Sequence, residues 1–537
     1  MVELDLKSLR KHIVTPPTKH EQEYLIGFRG ILVIQSFLWM FLQTFAPTTV
    51  YASGNPHGPL GQEIVRKVLS VLFWNEYFLY GSIIFLSARS IAIPFFRNPT
   101  SPVIARSLLT RALQLCIPAA ICLAIVKGSM TSNTFNTIWQ FKTTTNNNSM
   151  PFPIELSTTL SYWNSVFNLF WTTHGFRAQS GNYAFPTQTL WMINAVYIQS
   201  YTVYMIMVIV PHTRPAWRVQ FGIFFVIAAW WCNSWAWYTV SGLLMCDMVM
   251  HMDFKQNALI GIPVQFRGLV WRSRNGQPRR IPTWLVGCLL LIGGLLMQYL
   301  WVAYRPQLFY SEWRIHSNPY TTAGLDENYI TEHISARDDV YITILGIFTL
   351  LETYEVLQRV LQNKFLLFLG RRSLSYFLLQ SILAYIVGIP VFESLRNHHG
   401  IPYGGSVMVT LITCIAVTVP AAELFQRLIV VPTKATITDI ESWLRMKQFA
   451  TNGREYFKWI GPGITFPLGS STADPFDADQ FPRAIKARPT SQSIHGFLSG
   501  TTAGFRFPIP QKCGTCQTQQ ATYVLFHLEG PSRSRLV

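Results

Sequence analysis

Residues 25–46 read LIGFRGILVIQSFLWMFLQTFA, and Arg29 is the single charge among them. A hydrocarbon core about 30 Å thick takes about 20 helical residues, so this stretch predicts a transmembrane helix. Nine further apolar runs follow, near 69–88, 107–127, 188–210, 219–236, 238–253, 283–303, 340–358, 373–390 and 406–430. The fifth and sixth of the ten are short and adjacent, the pattern of a tight hairpin. Residues 154–171 carry Ser, Thr and Asn throughout and read as interfacial or re-entrant. The expected fold class is all-α, a polytopic membrane helix bundle of about ten transmembrane helices.

Composition points the same way. Of 537 residues, 50% are hydrophobic and 13% charged, against about 25% charged in soluble domains; mean hydropathy is +0.24. These values exclude a disordered polymer, a collagen-like chain and a small disulfide scaffold, and they disfavour a soluble enzyme. The net charge of +17 sits mainly in short loops, where basic residues set membrane orientation. No basic block interleaved with aromatics appears, so nucleic acid is not an expected partner. The 17 Trp and 22 Tyr suit interfacial belts.

Loop charge orients the chain. The connections after the second, fourth, sixth and eighth runs hold Arg89, Arg97 and Arg106; Arg214 and Arg218; Lys255, Arg267, Arg272, Arg274, Arg279 and Arg280; and Arg359, Lys364, Arg371 and Arg372. The segment after the seventh holds Glu312, Asp326, Glu327, Glu332, Asp338 and Asp339 instead. Strict alternation of basic and non-basic loops places both termini in the cytosol. The expected organisation is a cytosolic segment 1–24, a bundle 25–430 with a polar outside loop 128–187, and a cytosolic tail 431–537 without periodicity beyond about 470. The polar first 24 residues carry no cleavable signal pattern. Asn147 heads an Asn-Asn-Ser sequon in the outside loop, an expected glycosylation site. Six cysteines within apolar runs read as small buried hydrophobes. Cys513 and Cys516 form a lone CxxC, a weak zinc signal; no metal site is expected.

Ionisable groups at membrane depth are costly and mark function by default. Arg29 opens the first run, Asn75-Glu76 interrupts the second, Asp247 and His251 share one face of the sixth, and Glu352 and Glu355 sit late in the eighth. If these helices pack together, cytosol-facing cations and a carboxylate–imidazole pair share one cavity. A base oriented by an acid suits deprotonation of a hydroxyl, and clustered guanidiniums suit the phosphates of a nucleotide-containing donor. Plainer roles stand beside these. His251 can be a helix-end histidine satisfied by Asp247; Asn75 and Glu76 can hydrogen-bond between helices; Glu355 can pair with Arg359. His174 reads as a loop residue, and His398-His399 lack carboxylate or Cys partners. The GxSxG, HExxH, P-loop and GxGxxG signatures are absent from the sequence.

The order of four passages resembles the membrane acyltransferase 3 family in its divergent fungal form. Leu25-Ile-Gly-Phe-Arg-Gly30 resembles the family's Leu-Asp-Gly-Leu-Arg-Gly opening, and Phe85-Leu-Ser-Ala88 its Phe-x-Leu-Ser-Gly. Arg106 and Arg111 followed by Pro118 resemble the basic start of its third helix. Phe368-Leu-Gly-Arg-Arg-Ser-Leu-Ser-Tyr376 resembles its late Phe-Leu-Gly-x-x-Ser-Tyr-Ser passage, and Thr189-Leu-Trp191 opens the fourth run. The chain departs from the family where its histidines and glutamate stand: Met40, Gln380 and, beside Asn194 and Gln199, Val196 occupy those positions, and Ile26 replaces the opening Asp.

The resemblance implies acyl transfer from a cytosolic acyl-CoA to the hydroxyl of a small lipophilic acceptor. In fungi such relatives resemble tailoring enzymes of terpenoid, meroterpenoid or polyketide metabolism. It carries over Arg29, Arg106 and Arg111 as acyl-donor ligands, with acyl-CoA as co-substrate and no bound cofactor. The expected mechanism has His251, raised in basicity by Asp247, act on the acceptor hydroxyl while an adjacent polar group stabilises the oxyanion. Asn75, Glu76, Asn194, Gln199, Glu352 and Gln380 complete the set of intramembrane polar residues. Two other classes stay open: a transporter of an organic anion, and a catalytically inactive partner subunit. The expected location is the endoplasmic reticulum or another endomembrane.

Overall fold

The structure, a computed structural model, describes residues 22–51, 55, 57–171, 179–232, 234–263, 265–266, 269–270, 280–305 and 336–450. The leading segment, His174, most of the acidic segment after the seventh run, the CxxC and the tail beyond 450 lie outside the described residues.

Helices make nearly all of it, with two short antiparallel ribbons of two-residue strands. The first is α1, Glu23–Phe45, which stops at Ala46-Pro47 because proline has no N–H to continue it. Next come α2, Leu60–Phe73, and α3, Glu76–Arg97. The second apolar run, expected over 69–88, therefore straddles a break at Trp74-Asn75. Asn75 starts α3 as its N-cap: its side chain accepts from Tyr77 N at 3.1 Å and Phe78 N at 3.3 Å. Helix α2 keeps Leu60, Ile64, Val68 and Leu72 exposed on one stripe.

The chain continues through α4, Ser101–Ser129, and two helices inside the expected outside loop, α5, Ser132–Thr145, and α6, Thr159–Trp171. Too short to cross a bilayer, α6 exposes Leu160, Trp163, Phe167 and Trp171 along one side. This pattern suits the interfacial position expected of it. Then follow α7, Trp191–Ile209, and the hairpin of α8, Pro215–Trp231, and α9, Ala236–His251. Two further helices, α10, Thr283–Gln298, and α11, Asp338–Thr353, pack closely. Glycines permit this approach: a Cβ on Gly346 would lie 2.6 Å from Leu291 N.

At Tyr354 the backbone turns by 104° into α12, Glu355–Leu361, so the eighth run is not one straight helix over 340–358. Short α13, Lys364–Arg371, precedes α14, Ser373–Leu383, which continues through a wide turn into Ile389–Asn397. Last are α15, Tyr403–Phe425, and α16, Val431–Ala450, joined by a π turn at Gln426–Val430. The bundle thus does not end at 430 as expected: Thr433 and Ile437 of α16 are buried.

Among the described residues six helices are long and apolar enough to cross a membrane, or seven if the bent pair around Tyr354 is one span. The other expected spans fall on α8, α9 and α10, helices of 17, 16 and 16 residues. Cys122, Cys246 and Cys414 are buried and unpaired, as small hydrophobes are.

Candidate functional site

Helices α1 and α3 run antiparallel. Arg97 donates to Gln22 at 2.9 Å at one end, and Trp39 meets Tyr80 edge-on near the other. Between them and α4, α7, α13, α14 and the α15–α16 junction lies a cavity of about 620 Å³. Each wall is a helical stripe: Ile26, Arg29, Val33 and Ser36 on α1, for example, and Arg111, Gln114, Leu115 and Pro118 on α4. The lining runs from Ile26 to Ser36 on α1 and from Ser90 to Leu79 on α3. At 1.5 Å per residue both give a depth of about 15–17 Å.

The cavity is polarised along that depth. Arg29, Ser90, Arg371 and Lys434 gather at one end, with Arg371 and Lys434 exposed at the rim. Leu79, Ile83, Met192 and Ile193 make the other end apolar. Arg111 sits between, donating to the Ser87 hydroxyl and, at 3.4 Å, to Ser200 Oγ. About 10 Å below the Arg29 level, Gln380 donates its amide N–H to Ser36. Its Oε1 is buried without a partner among the described residues. Among the described residues no Asp, Glu, His or Cys lines the cavity. The arrangement can hold an amphiphile with an anionic head at the cationic end, an apolar body, and one donor facing Gln380.

Two distant sequence passages meet here for a steric reason. A Cβ on Gly27 would strike the carbonyl oxygen of Leu361, one on Gly30 that of Leu366, and one on Gly370 that of Ile26. The passages around Arg29 and Arg371 are therefore a single backbone-to-backbone contact. Only glycine allows it, and it sets both arginines on the same cavity.

Of the expected acyl-donor ligands, Arg29 and Arg111 line the cavity and Arg106 does not. Five residues along a helix is a rotation of roughly 140°, so when Arg111 faces inward Arg106 lies on the exposed side. Among the intramembrane polar set, Gln380 alone reaches the cavity.

The others are tied elsewhere. Asn75 donates to Gln298 Oε1 at 2.8 Å, and Gln298 to Thr343 Oγ1 at 2.9 Å, a buried chain joining α3, α10 and α11. Glu76 stands in the first turn of α3 behind that cap. Asn194 donates to the Leu169 carbonyl, and Gln199 accepts from Thr239 at 3.4 Å. Glu352 meets Arg89 Nη1 at 2.5 Å and accepts from Tyr24 at 2.7 Å, an almost solvent-free triad locking α1, α3 and α11. Glu355 pairs with Arg359 at 3.5 Å, as the sequence predicts, and with Lys255.

His251 and Asp247 form the expected pair, with 2.8 Å between Nδ1 and Oδ1, but not in the cavity. Arg218 approaches the same carboxylate at 3.2 Å, and His251 Nε2 lies 3.2 Å from the Phe96 carbonyl oxygen. Both ring nitrogens are turned toward protein oxygens, and neither faces the cavity. The expectation of one shared cavity is therefore corrected: the cavity holds Arg29 and Arg111 without the His251–Asp247 pair. Asn147 is corrected too. It is 1% exposed, and its amide donates to the Gln43 and Thr44 carbonyls at 3.0 and 2.9 Å. In the fold that nitrogen closes the end of α1 and has no room for a glycan.

Lys434 escaped the sequence reading because it sits in what looked like a polar tail. The available signal was spacing: Gln426, Val430, Thr433 and Lys434 continue one helical stripe past 430. Comparison of the chain with protein-family models, with curated proteins and with solved structures finds no match.

Proposed function

We propose that the chain is a membrane-bound O-acyltransferase, moving an acyl group from acyl-CoA to a hydroxyl of a small lipophilic acceptor. The setting we infer is a tailoring step in fungal terpenoid, meroterpenoid or polyketide metabolism. One observation carries this reading. All four passages that resemble the acyltransferase 3 family contribute to the same cavity, through Arg29, Ser87, Arg111 and Arg371. A cationic end suits the phosphates of CoA, and an apolar end suits an acyl chain with its acceptor.

In this reading Arg29 and Arg111 hold the donor, and Gln380 Oε1 accepts the hydrogen bond of the acceptor hydroxyl. The C–S bond of the thioester breaks, a C–O bond forms, and the hydroxyl proton leaves with the CoA thiol. Positioning in a water-poor cavity supplies the acceleration. We take the bundle to cross the membrane ten times with both termini cytosolic, in the endoplasmic reticulum or another endomembrane. Alternating loop charge supports this, as does a helix at each of the ten apolar runs. On that orientation the cationic end opens to the cytosol, where acyl-CoA resides.

The cavity lining, without acids, histidine or cysteine among the described residues, favours a second reading: a carrier of an organic anion, which needs binding without chemistry. Mass spectrometry of metabolites from the source organism separates the two. Compared are the intact gene, its deletion, and restoration with Arg29→Ala. Acyl transfer requires that deletion leave a precursor lighter by one acyl residue and that the Arg29→Ala copy restore little product. An unchanged product trapped inside the cells overturns it in favour of the carrier.

A further inference from the structure

The cations of the cavity present a charge imbalance. Arg29 lies in Coulombic range of both Arg111 and Lys434. Like charges gathered inside a bundle repel strongly at low dielectric, and a group at that depth is tolerated when a counter-charge is supplied. Among the described residues no carboxylate supplies it to Arg29, Arg111 or Lys434. Glu23 pairs with the cavity cation Arg371 at 3.5 Å, while Glu423 holds Arg372 and, at 2.6 Å, Arg427, neither of which lines the cavity. Among the described residues Arg111 donates hydrogen bonds to Ser87 and Ser200, and neither Arg29 nor Lys434 meets a carboxylate.

Lys434 is brought to this place by local geometry. The π turn at Gln426–Val430 interrupts the helix where it borders the cavity. Turns of this kind are frequent at functional sites. Ser375 of α14 donates to Gln426 Oε1 at 2.8 Å and fixes the turn against the cavity wall. Two turns on, Thr433 is buried while Lys434 stands at the rim.

We propose that Lys434 is the third cation of a phosphate-binding site it shares with Arg29 and Arg111, so that α16 forms part of the ligand site. The ligand group is a phosphate ester held at the rim, with the body of its molecule in the apolar depth. Its source as the donor CoA rests on the acyltransferase reading; a phospholipid headgroup has the same chemistry.

The test measures binding by the full-length protein in detergent to three probes: coenzyme A, inorganic phosphate, and phosphatidic acid in mixed micelles. Wild type is compared with Lys434→Met, Lys434→Arg and Arg29→Met, each checked for a single monodisperse peak. Lys434→Met is expected to weaken coenzyme A binding about three- to tenfold and to flatten its salt dependence. Lys434→Arg should keep it within about twofold. Equal binding by wild type and Lys434→Met overturns the proposal while leaving the acyl-CoA reading intact. Phosphate or phosphatidic acid binding that depends on Lys434 and Arg29, with no coenzyme A binding, supports the phosphate site and refutes the acyl-CoA reading. Absence of binding to all three probes overturns both.

Discussion

Gly370→Ala tests whether the cavity depends on the backbone contact between α1 and α13. A Cβ at that position would lie 2.8 Å from the Ile26 carbonyl carbon and 3.1 Å from Gly30 N, with the Ile26 oxygen nearer still. Carbon atoms rest about 3.5–4.0 Å apart, so the helices must separate by at least about 0.7 Å. The obstructing atoms are backbone and cannot rotate away, which makes this an overpacking substitution costing about 1–3 kcal/mol. Opening the contact also moves Arg371 and Ser373 relative to Arg29, so binding of coenzyme A should fall along with stability. Thermal unfolding of purified protein in detergent reads the first effect and equilibrium binding the second. Gly293→Ala, in α10, is the matched control because nothing lies within 4 Å of its Cβ position. It should be neutral or stabilise by up to about 1 kcal/mol. A Gly370→Ala protein as stable as wild type and binding as well would refute the reasoning.

The buried pair Arg89–Glu352 should behave as a unit: Arg89→Met or Glu352→Gln alone costs about 3–5 kcal/mol, because each leaves a charge without its partner. The double variant should recover part of that loss in a thermal-unfolding cycle, and strict additivity would show that the charges are not coupled. His251→Ala should leave ligand binding within about twofold, since the ring does not reach the cavity, while lowering stability by about 1–2 kcal/mol through lost hydrogen bonds; failure to bind would restore the histidine as a site residue. Asn147→Gln should cause no glycosidase-sensitive shift in electrophoretic mobility, yet should destabilise, because the end of α1 loses two hydrogen bonds; a mobility shift would show that the sequon is used.

The existence of the helices was legible in the sequence because the hydropathy of a run sums local transfer free energies over contiguous residues, and each of the ten apolar runs falls on helical residues, the second and eighth on two helices each. Arg29 and Arg111 were legible as site residues for a related reason, since a guanidinium inside an apolar run is conspicuous anywhere. The tertiary structure decided which of these groups meet. Every residue rotates a helical side chain by about 100°, so facing depends on the contacts that fix rotation: the glycine crossing of α1 with α13, and the Ser375–Gln426 hydrogen bond that holds the stripe leading to Lys434. The resulting cavity takes in Arg29, Arg111, Gln380 and Lys434, and neither Arg106 nor His251 lines it. Polar residues mark both breaks in the sequence, Asn75-Glu76 at one and Glu352 and Glu355 around Tyr354 at the other, but the hydropathy averaged over each run stays high enough to read as one span. The burial of Asn147 was equally invisible, since its partners are backbone carbonyls about a hundred residues upstream, reached only once the chain has folded.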